Sequence, residues 1–394
     1  MDRQRVESWF DDGTLIRPRA AGVAGSVDLV RAIASLAGAT GVVLSEGAQS
    51  LKKQIRPSSH LVLVIVDGLG LELLHRHLHS GFLIDHLADR IEAVFPSTTA
   101  AALTSLATGA YPAEHAIPGW WIYLDEHDLS AVSLPFVDRR DGTDLRLRGV
   151  TSKQVFTAPS LLPRMNCDTA MVTLVPFVDS VYTSYSSGGC RRIGYERISD
   201  GIEATARRVA EAADQTFTQL YLPQLDELCH HRGVDGEEVS LMLRMIESEL
   251  MRLRRSLPGE ARLIITADHG HVNLPPSQRI LLREDDELLG LLRAWPSGEP
   301  AVPVFHVRSG CEGRFRSMFR ERLGEQFALL SIDEVDEMRL LGPEPLTPLA
   351  RRRFGDFIGI TPQPRSLRAA NDPGHRGIHA GLTAAEMFVP LILA

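Results

Sequence analysis

The chain has little of what marks several common protein classes. Its 394 residues include four cysteines, which are widely spaced and form no CxxC pair or dense disulfide framework: Cys167, Cys190, Cys229 and Cys311. No apolar run approaches the roughly 18 residues that cross a bilayer. The opening segment MDRQRVESWFDDG lacks the apolar core of a signal peptide. We therefore expect a cytoplasmic protein with reduced cysteines and no membrane span.

Basic residues are also in the minority. Lys and Arg number 42 against 50 Asp and Glu, which gives a net charge of −8. This balance argues against a general nucleic-acid-binding surface, although a nucleotide could still bind as a small-molecule substrate. The segment GLGLEL lacks the third glycine of a dinucleotide fingerprint, because that position is Leu73, and no GxxxxGK[ST] loop occurs.

Several apolar, strand-like segments end in metal-ligand residue types. In LIITADHGH the apolar run is followed by Asp268 and His269, and in LVLVIVDG it is followed by Asp67. In an open α/β sheet, ligands bind at the carboxyl edge of the strands. Each segment alone is more simply a strand followed by a polar turn or a helix cap, but their repetition predicts a metal site at one sheet edge.

Two further segments add histidines to this pattern. FTQLYLP is followed by Asp226 and His230, whose spacing of four puts them on one side of a helical turn; His231 is the neighbouring alternative. His379 lies in a glycine-flanked loop shortly before the apolar segment FVPLILA. Asp and His together suit a divalent metal ion.

A hydroxyl group is expected at the start of a helix. The segment IEAVFPSTTAAALTSLATG places Thr98 or Thr99 where a strong helix former begins, and Gly109 ends that helix. Free N–H groups and the helix dipole favour an anion at this position. The simpler interpretation is an N-cap, since a threonine hydroxyl is a poor nucleophile unless a base or a metal activates it.

In order and spacing, these motifs resemble those of the alkaline phosphatase superfamily, most closely its type I phosphodiesterase/nucleotide pyrophosphatase branch. The resemblance covers roughly residues 60–275 and 370–394, and the motifs that carry it are VIVDGLG, FPSTTAAALTSLATGAYPAEHAI, DELCHHRG, TADHGH and HAGLTAAEMFVPL. It implies a three-layer α/β/α sandwich with a mostly parallel sheet, forming a single catalytic domain over residues 1–394. Residues 285–365 alternate strand and helix patterns and predict a small α+β insert, a candidate cap.

The resemblance also implies roles for individual residues. The family nucleophile lies nine positions before the Thr of a Thr-Gly pair, which is Thr108–Gly109 here, so it corresponds to Thr99, with Thr98 as the slip-by-one alternative. The implied metal ligands are Asp67, Thr99, Asp268 and His269 around one ion, Asp226 and His230 on a second ion, and His379 as the final histidine.

Two divalent ions are therefore expected, zinc first because of the Asp and His ligands, with manganese as the alternative. The implied reaction is hydrolysis of a phosphodiester or nucleotide pyrophosphate bond through a covalent phosphothreonine. A phosphomonoesterase or phosphonate hydrolase on the same scaffold, and a non-catalytic metal-binding module, are the alternatives. Sulfatases are disfavoured because residues 99–103 lack their Cys/Ser-x-Pro-x-Arg motif.

The sequence departs from the family pattern in two places. Nucleotide pyrophosphatases carry an Asn that holds a phosphate oxygen, and the matching position here is Trp120, which becomes a candidate substrate-binding residue. The step after His379 reads Ala-Gly where Gly-Gly is usual.

Overall fold

The structure is a computed structural model that describes residues 1–19, 22–370 and 374–394. Its strands, in chain order, are β1 (His60–Val66), β2 (Leu87–Glu92), β3 (Trp121–Leu124), β4 (Leu129–Val132), β5 (Val137–Asp138), β6 (Asp168–Leu174), β7 (Arg191–Tyr195), β8 (Thr216–Leu222), β9 (Ala261–Thr266), β10 (Val272–Asn273), β11 (Arg279–Leu282), β12 (Ser297–Gly298), β13 (Pro303–Phe305), β14 (Ala328–Ser331), β15 (Phe357–Ile360), β16 (Ser366–Ala369), β17 (Gly377–Ile378) and β18 (Phe388–Leu393).

The α-helices of the same residues are α1 (Asp2–Asp11), α2 (Ser26–Leu36), α3 (Glu46–Ile55), α4 (Leu71–His77), α5 (Phe82–Asp85), α6 (Thr99–Thr108), α7 (Pro112–His115), α8 (Ser152–Val155), α9 (Val175–Val178), α10 (Val181–Ser186), α11 (Ile198–Ala210), α12 (Gln224–Arg232), α13 (Glu237–Ser256), α14 (Glu287–Gly290), α15 (Glu312–Leu323), α16 (Ile332–Glu337), α17 (Pro348–Arg353) and α18 (Ala384–Met387). None of the helices in these ranges is long and apolar enough to cross a membrane.

A seven-stranded sheet in the order β2-β18-β9-β1-β8-β6-β7 forms the centre of the fold. Strand β1 pairs in parallel with β8 and β9, and β6 pairs in parallel with β7 and β8. Strand β18 is antiparallel to both of its neighbours, β2 and β9. The predicted α/β fold with a mostly parallel sheet is therefore confirmed.

The central strand explains why the sheet needs cover on both faces. Every residue of β1, including the apolar run from Leu61 to Val66, is buried, as expected for a parallel strand between two helical layers. Helices α2, α3 and α6 pack together, and α11, α12 and α13 form a second packed group.

A second sheet, in the order β14-β15-β13-β12-β3-β4-β5, joins two distant parts of the chain. The predicted elements of residues 285–365 are present: α15 packs Phe315 and Phe319 against Phe305 of β13. Their sheet does not stop at that range, however, because Gly298 of β12 pairs with Trp121 of β3. The limits of the insert stay a prediction, and residues 20–21 and 371–373 of the predicted 1–394 domain lie outside the described residues.

Two glycines allow the loops after β1 and β9 to touch. A Cβ on Gly70 would lie 2.7 Å from the Cα of Gly270, and a Cβ on Gly270 would lie 1.9 Å from the carbonyl oxygen of Ala385. The Gly270 N–H also donates to the carbonyl of Glu386 at 2.9 Å. The loop that follows Asp268 and His269 is thus fixed against the C-terminal segment by backbone contact alone.

We expect Gly270→Ala to lower the free energy of unfolding by about 1–3 kcal/mol, because the backbone must shift to admit the methyl group. Urea unfolding followed by fluorescence measures this change. Gly259→Ala is the matched control, since nothing lies within 4 Å of its added Cβ. Equal stability of the two variants would show that the contact at Gly270 is not a packing constraint.

Candidate active site

The strand order places the predicted ligands at one edge of the central sheet. Asp67 follows β1, Asp226 lies in the first turn of α12 after β8, and Asp268 and His269 follow β9. Because β8, β1 and β9 are adjacent and parallel, these three strand ends lie side by side. His379 directly follows β17, which pairs with β10.

Two groups of possible metal ligands result, each with its ligand atoms within 4.8 Å of one another. The first contains Asp226, His230, His271 and His379, and the second contains Asp67, Asp226 and His269. Asp268 lies beside the second group, with Oδ2 3.4 Å from His269 Nε2. The structure therefore brings all the predicted side chains together and places Asp226 between the two groups.

Three histidines present the same ring nitrogen to the site. Nδ1 of His230 lies 2.9 Å from the carbonyl oxygen of Gly377, and Nδ1 of His379 lies 3.2 Å from that of Ser97. Nδ1 of His269 likewise lies 3.1 Å from the carbonyl oxygen of Gly270. Since a carbonyl only accepts, each Nδ1 carries the proton and Nε2 keeps its lone pair, which is the usual arrangement behind a metal-ligating histidine.

The carboxyl groups of Asp67 and Asp268 are buried with too few hydrogen-bond donors around them to stabilise two negative charges. The pKa of Asp67 is raised well above its usual value by burial and by the charges of Asp268 and Asp226, and burial also raises the pKa of Asp268. Among the residues that the structure describes, Asp67 Oδ1 and Asp268 Oδ2 have no hydrogen-bond partner. Tyr221 donates its hydroxyl proton to the other oxygen of Asp67, Oδ2.

Asp226 has a different environment. Burial alone would raise its pKa, but His230, His271 and His379 hold the pKa well below its usual range. Burial lowers the pKa of His379 well below its normal value, and the neighbouring histidines add to this effect. A neutral imidazole beside an ionised carboxylate is the state in which both can bind a metal ion.

These observations fit divalent metal ions. Buried carboxylate oxygens without donors, close to histidine nitrogens with free lone pairs, are costly unless a cation occupies the space between them. The mixed Asp and His donors suit zinc.

Thr99 lies at the beginning of α6, with its hydroxyl 3.1 Å from His269 Nε2. The N-cap residue, Thr98, makes no side-chain cap bond; it donates instead to Glu299 Oε1 at 2.5 Å. Thr98 does occupy the N-cap position, as the simpler interpretation expects, but within the described residues its side chain caps no N–H group. The first-turn N–H groups, which have no intrahelical acceptor, are therefore left uncapped by Thr98.

Glu299 connects the second sheet to this site. The same Oε1 that binds Thr98 also accepts the backbone N–H of Trp120 at 2.6 Å. Burial raises the pKa of Glu299. Trp120 is 38% exposed, so its backbone is anchored while its ring remains accessible.

Two cavities meet at Thr99, Trp120 and Asp226. The larger, of about 580 Å³, is lined mainly by apolar and hydroxyl side chains such as Phe177 and Tyr182, with no Lys, Arg or His among its described lining residues. The smaller, of about 330 Å³, is lined by His230 and His379 of the site together with Arg368 and His375.

Three residues of the site were missed from the sequence: His271, Tyr221 and Glu299. His271 stands two positions after His269 in the same motif, so a third polar residue beyond the strand end was the available signal. Tyr221 is in β8, one residue before its end, where it looks like an ordinary strand aromatic. Glu299 follows β12 in the other sheet, and no local pattern indicates its contact with Thr98.

Solved structures show the same fold. Murine ectonucleotide pyrophosphatase / phosphodiesterase 5 superposes with a TM-score of 0.63 at 16% identity, covering 84% of this chain and 87% of its own. The human protein gives 0.62 at 18% identity, with coverage of 84% and 87%. Phosphonoacetate hydrolase from Sinorhizobium meliloti 1021, in complex with phosphonoformate, gives 0.62 at 17% identity, with coverage of 84% and 89%.

No curated protein sequence matches the chain significantly. Residues 61–310, more than half of the chain, match the family described as type I phosphodiesterase / nucleotide pyrophosphatase. This range includes the strand ends that carry Asp67, Asp226 and Asp268. The chain thus belongs to the type I phosphodiesterase / nucleotide pyrophosphatase family and is a hydrolase acting on phosphate ester bonds.

Proposed function

We propose that the protein is a metal-dependent phosphodiester hydrolase that uses Thr99 as its nucleophile. The carrying observation is the position of the Thr99 hydroxyl where the two cavities meet, 3.1 Å from His269. A phosphodiester has two substituents on phosphorus, and each cavity accommodates one of them. A monoester would leave one cavity unused.

The proposed metal ligands form two sets, one for each ion. Asp67, Thr99, Asp268 and His269 would hold one divalent ion, and Asp226, His230 and His379 would hold the second. When bound, such ions lower the pKa of the attacking hydroxyl and neutralise charge on the phosphoryl oxygens. Thr99 Oγ forms a bond to phosphorus as the bond to the leaving alcohol breaks, and the alcohol takes up a proton. Water then hydrolyses the phosphothreonine and restores the hydroxyl.

The N-terminus of α6 provides hydrogen-bond donors for the phosphoryl group. Because Thr98 is turned away toward Glu299, N–H groups of the first turn can donate to a phosphoryl oxygen. If the Thr98 hydroxyl accepted one of these N–H groups as a helix cap, that group could not donate to a phosphoryl oxygen. Glu299 therefore keeps an anion site available beside the nucleophile.

Related proteins support this chemistry. Murine ectonucleotide pyrophosphatase / phosphodiesterase 5 is known in an inactive form, with a threonine replaced by alanine, in complex with AMP. That protein shares the fold of this chain, and a threonine at the start of α6 is the matching candidate here. We propose zinc as the metal, with manganese as the alternative, since apart from Thr99 the proposed ligands are all Asp and His side chains.

The proposed reaction predicts a preference for diesters. With zinc bound, kcat/KM should be at least about tenfold higher for bis(p-nitrophenyl) phosphate than for p-nitrophenyl phosphate, because only the diester fills both cavities, and tenfold corresponds to about 1.4 kcal/mol of differential binding. Release of p-nitrophenolate measures both rates. The reverse order would indicate a phosphomonoesterase, and inactivity toward both with zinc bound would favour a non-catalytic metal-binding module.

Phosphonate hydrolysis is the second candidate, because Arg368 lines the smaller cavity and could bind a carboxylate of the substrate. Phosphonoacetate is bound by a structural neighbour, phosphonoacetate hydrolase. Release of inorganic phosphate from phosphonoacetate, measured beside the two nitrophenyl esters, separates this activity from diester hydrolysis.

Replacement of Thr99 should separate catalysis from metal binding. We expect Thr99→Ala to lower kcat by at least about 1,000-fold, because the nucleophile is removed, while the carboxylates and histidines retain zinc. Turnover assays with elemental analysis test both parts. Thr98→Ala is the matched control at the neighbouring hydroxyl, and a larger loss of kcat in that variant would transfer the nucleophile to Thr98.

Tyr221→Phe tests how the site orients Asp67. The substitution removes only the hydroxyl that donates to Asp67 Oδ2, so we expect zinc affinity to fall about 10- to 100-fold, as for other outer hydrogen bonds to metal ligands. Competition with a chromogenic chelator measures the affinity. Tyr195→Phe is a control, because its hydroxyl donates to the backbone carbonyl of Tyr221, away from the carboxylates.

A further inference from the structure

We propose that His271 is a fourth protein ligand of the second metal ion, together with Asp226, His230 and His379. This inference rests on the metal dependence proposed above and adds a residue that neither the family motif nor the sequence pattern assigned. It concerns the strength and order of metal binding rather than the chemical step.

The backbone register sets the position of His271. In the antiparallel pair β10–β17, Val272 is opposite Ile378 and Asn273 is opposite Gly377. One step outward along the same register, His271 stands opposite His379. Facing residues of an antiparallel pair have neighbouring side chains, and the two rings lie 5.1 Å apart between centroids.

The side chain of His271 is aimed at the shared carboxylate. Its Nε2 lies 2.5 Å from Asp226 Oδ1, and its ring centroid lies 4.8 Å from that of His230. His271 is 3% exposed. An ion bound to the carboxylate of Asp226 would therefore lie within reach of His271 Nε2, whose distances to the ligand atoms of Asp226, His230 and His379 are all within 4.8 Å.

Two glycines shape the space that holds this ring. A Cβ on Gly68 would lie 2.8 Å from Cδ2 of His271, and a Cβ on Gly377 would lie 3.4 Å from its Nδ1. Nδ1 itself has no hydrogen-bond partner in the described part of the chain. The ring is therefore oriented by packing and by Asp226, unlike the other three histidines, whose Nδ1 atoms contact backbone carbonyls.

Four protein ligands have a consequence for the metal pair. With His271, the second ion would have four Asp and His ligands, whereas the first would have three, Asp67, Asp268 and His269, with the neutral Thr99 hydroxyl as its fourth. Imidazole and carboxylate groups are the usual oxygen and nitrogen ligands of zinc in proteins. The ion held by Asp226, His230, His271 and His379 should thus be the tighter of the two. The other ion, which is also ligated by the reacting Thr99 hydroxyl, should be lost first to a chelator.

The affinity experiment uses the full chain titrated with zinc against a chelator of known affinity. Wild type should bind two zinc ions with unequal affinities, and His271→Ala should weaken the tighter one by more than about 100-fold, beyond the loss typical of outer hydrogen bonds. His231→Ala is the matched control, because this exposed histidine adjoins His230 but belongs to neither ligand group. A loss below that limit overturns the proposal.

A crystal structure of the zinc-bound wild type provides the independent readout. His271 Nε2 should lie about 2.0–2.1 Å from a zinc ion located by anomalous scattering. A ring that remains hydrogen-bonded to Asp226, more than about 3 Å from the metal, overturns the assignment even if the variant binds zinc poorly. Because neither measurement uses turnover, inactivity toward diesters would refute the proposed function and leave this inference standing.

Discussion

The whole site depends on three carboxylates, two of them buried and one partly buried, at one edge of one sheet. Asp67, Asp226 and Asp268 are close enough to affect one another's ionisation, and within the described residues no Lys or Arg forms an ion pair with them. Uncompensated buried charge costs several kcal/mol per group. Cations held between these side chains would offset this cost, which is why the cluster is a candidate metal site.

The surrounding structure is organised to keep this arrangement in place. Backbone carbonyls orient three of the histidine rings, and Tyr221 holds one oxygen of Asp67. Close contact of the Gly70 and Gly270 loops positions the ends of β1 and β9 relative to each other. Each contact lies outside the set of possible ligands, yet each fixes an atom of that set, which is the role expected of the groups around a metal site.

The sequence predicted the parts of the site that belong to a single strand end. Asp67, Asp268 and His269 follow buried strands with clear apolar patterns, and the i, i+4 spacing of Asp226 and His230 is visible in one helix. Parallel strand order then brings these residues together. The sequence could not predict contacts made by pairing of distant segments. His271 approaches His379 only because β10 pairs with β17, and Glu299 reaches Thr98 only because β12 lies beside β3.

The contact of Glu299 also explains how the departure at Trp120 can be tolerated. A family member with Asn at that position has a side-chain donor for a phosphate oxygen, and Trp120 offers no such group at its ring face. In this chain the backbone N–H of Trp120 is bound by Glu299, and the same carboxylate draws the Thr98 hydroxyl away from the N-terminus of α6. We propose that the helix N–H groups beside Thr99 bind the oxygen instead, so that one buried carboxylate of the second sheet would compensate for an anion contact that the Trp120 side chain does not make.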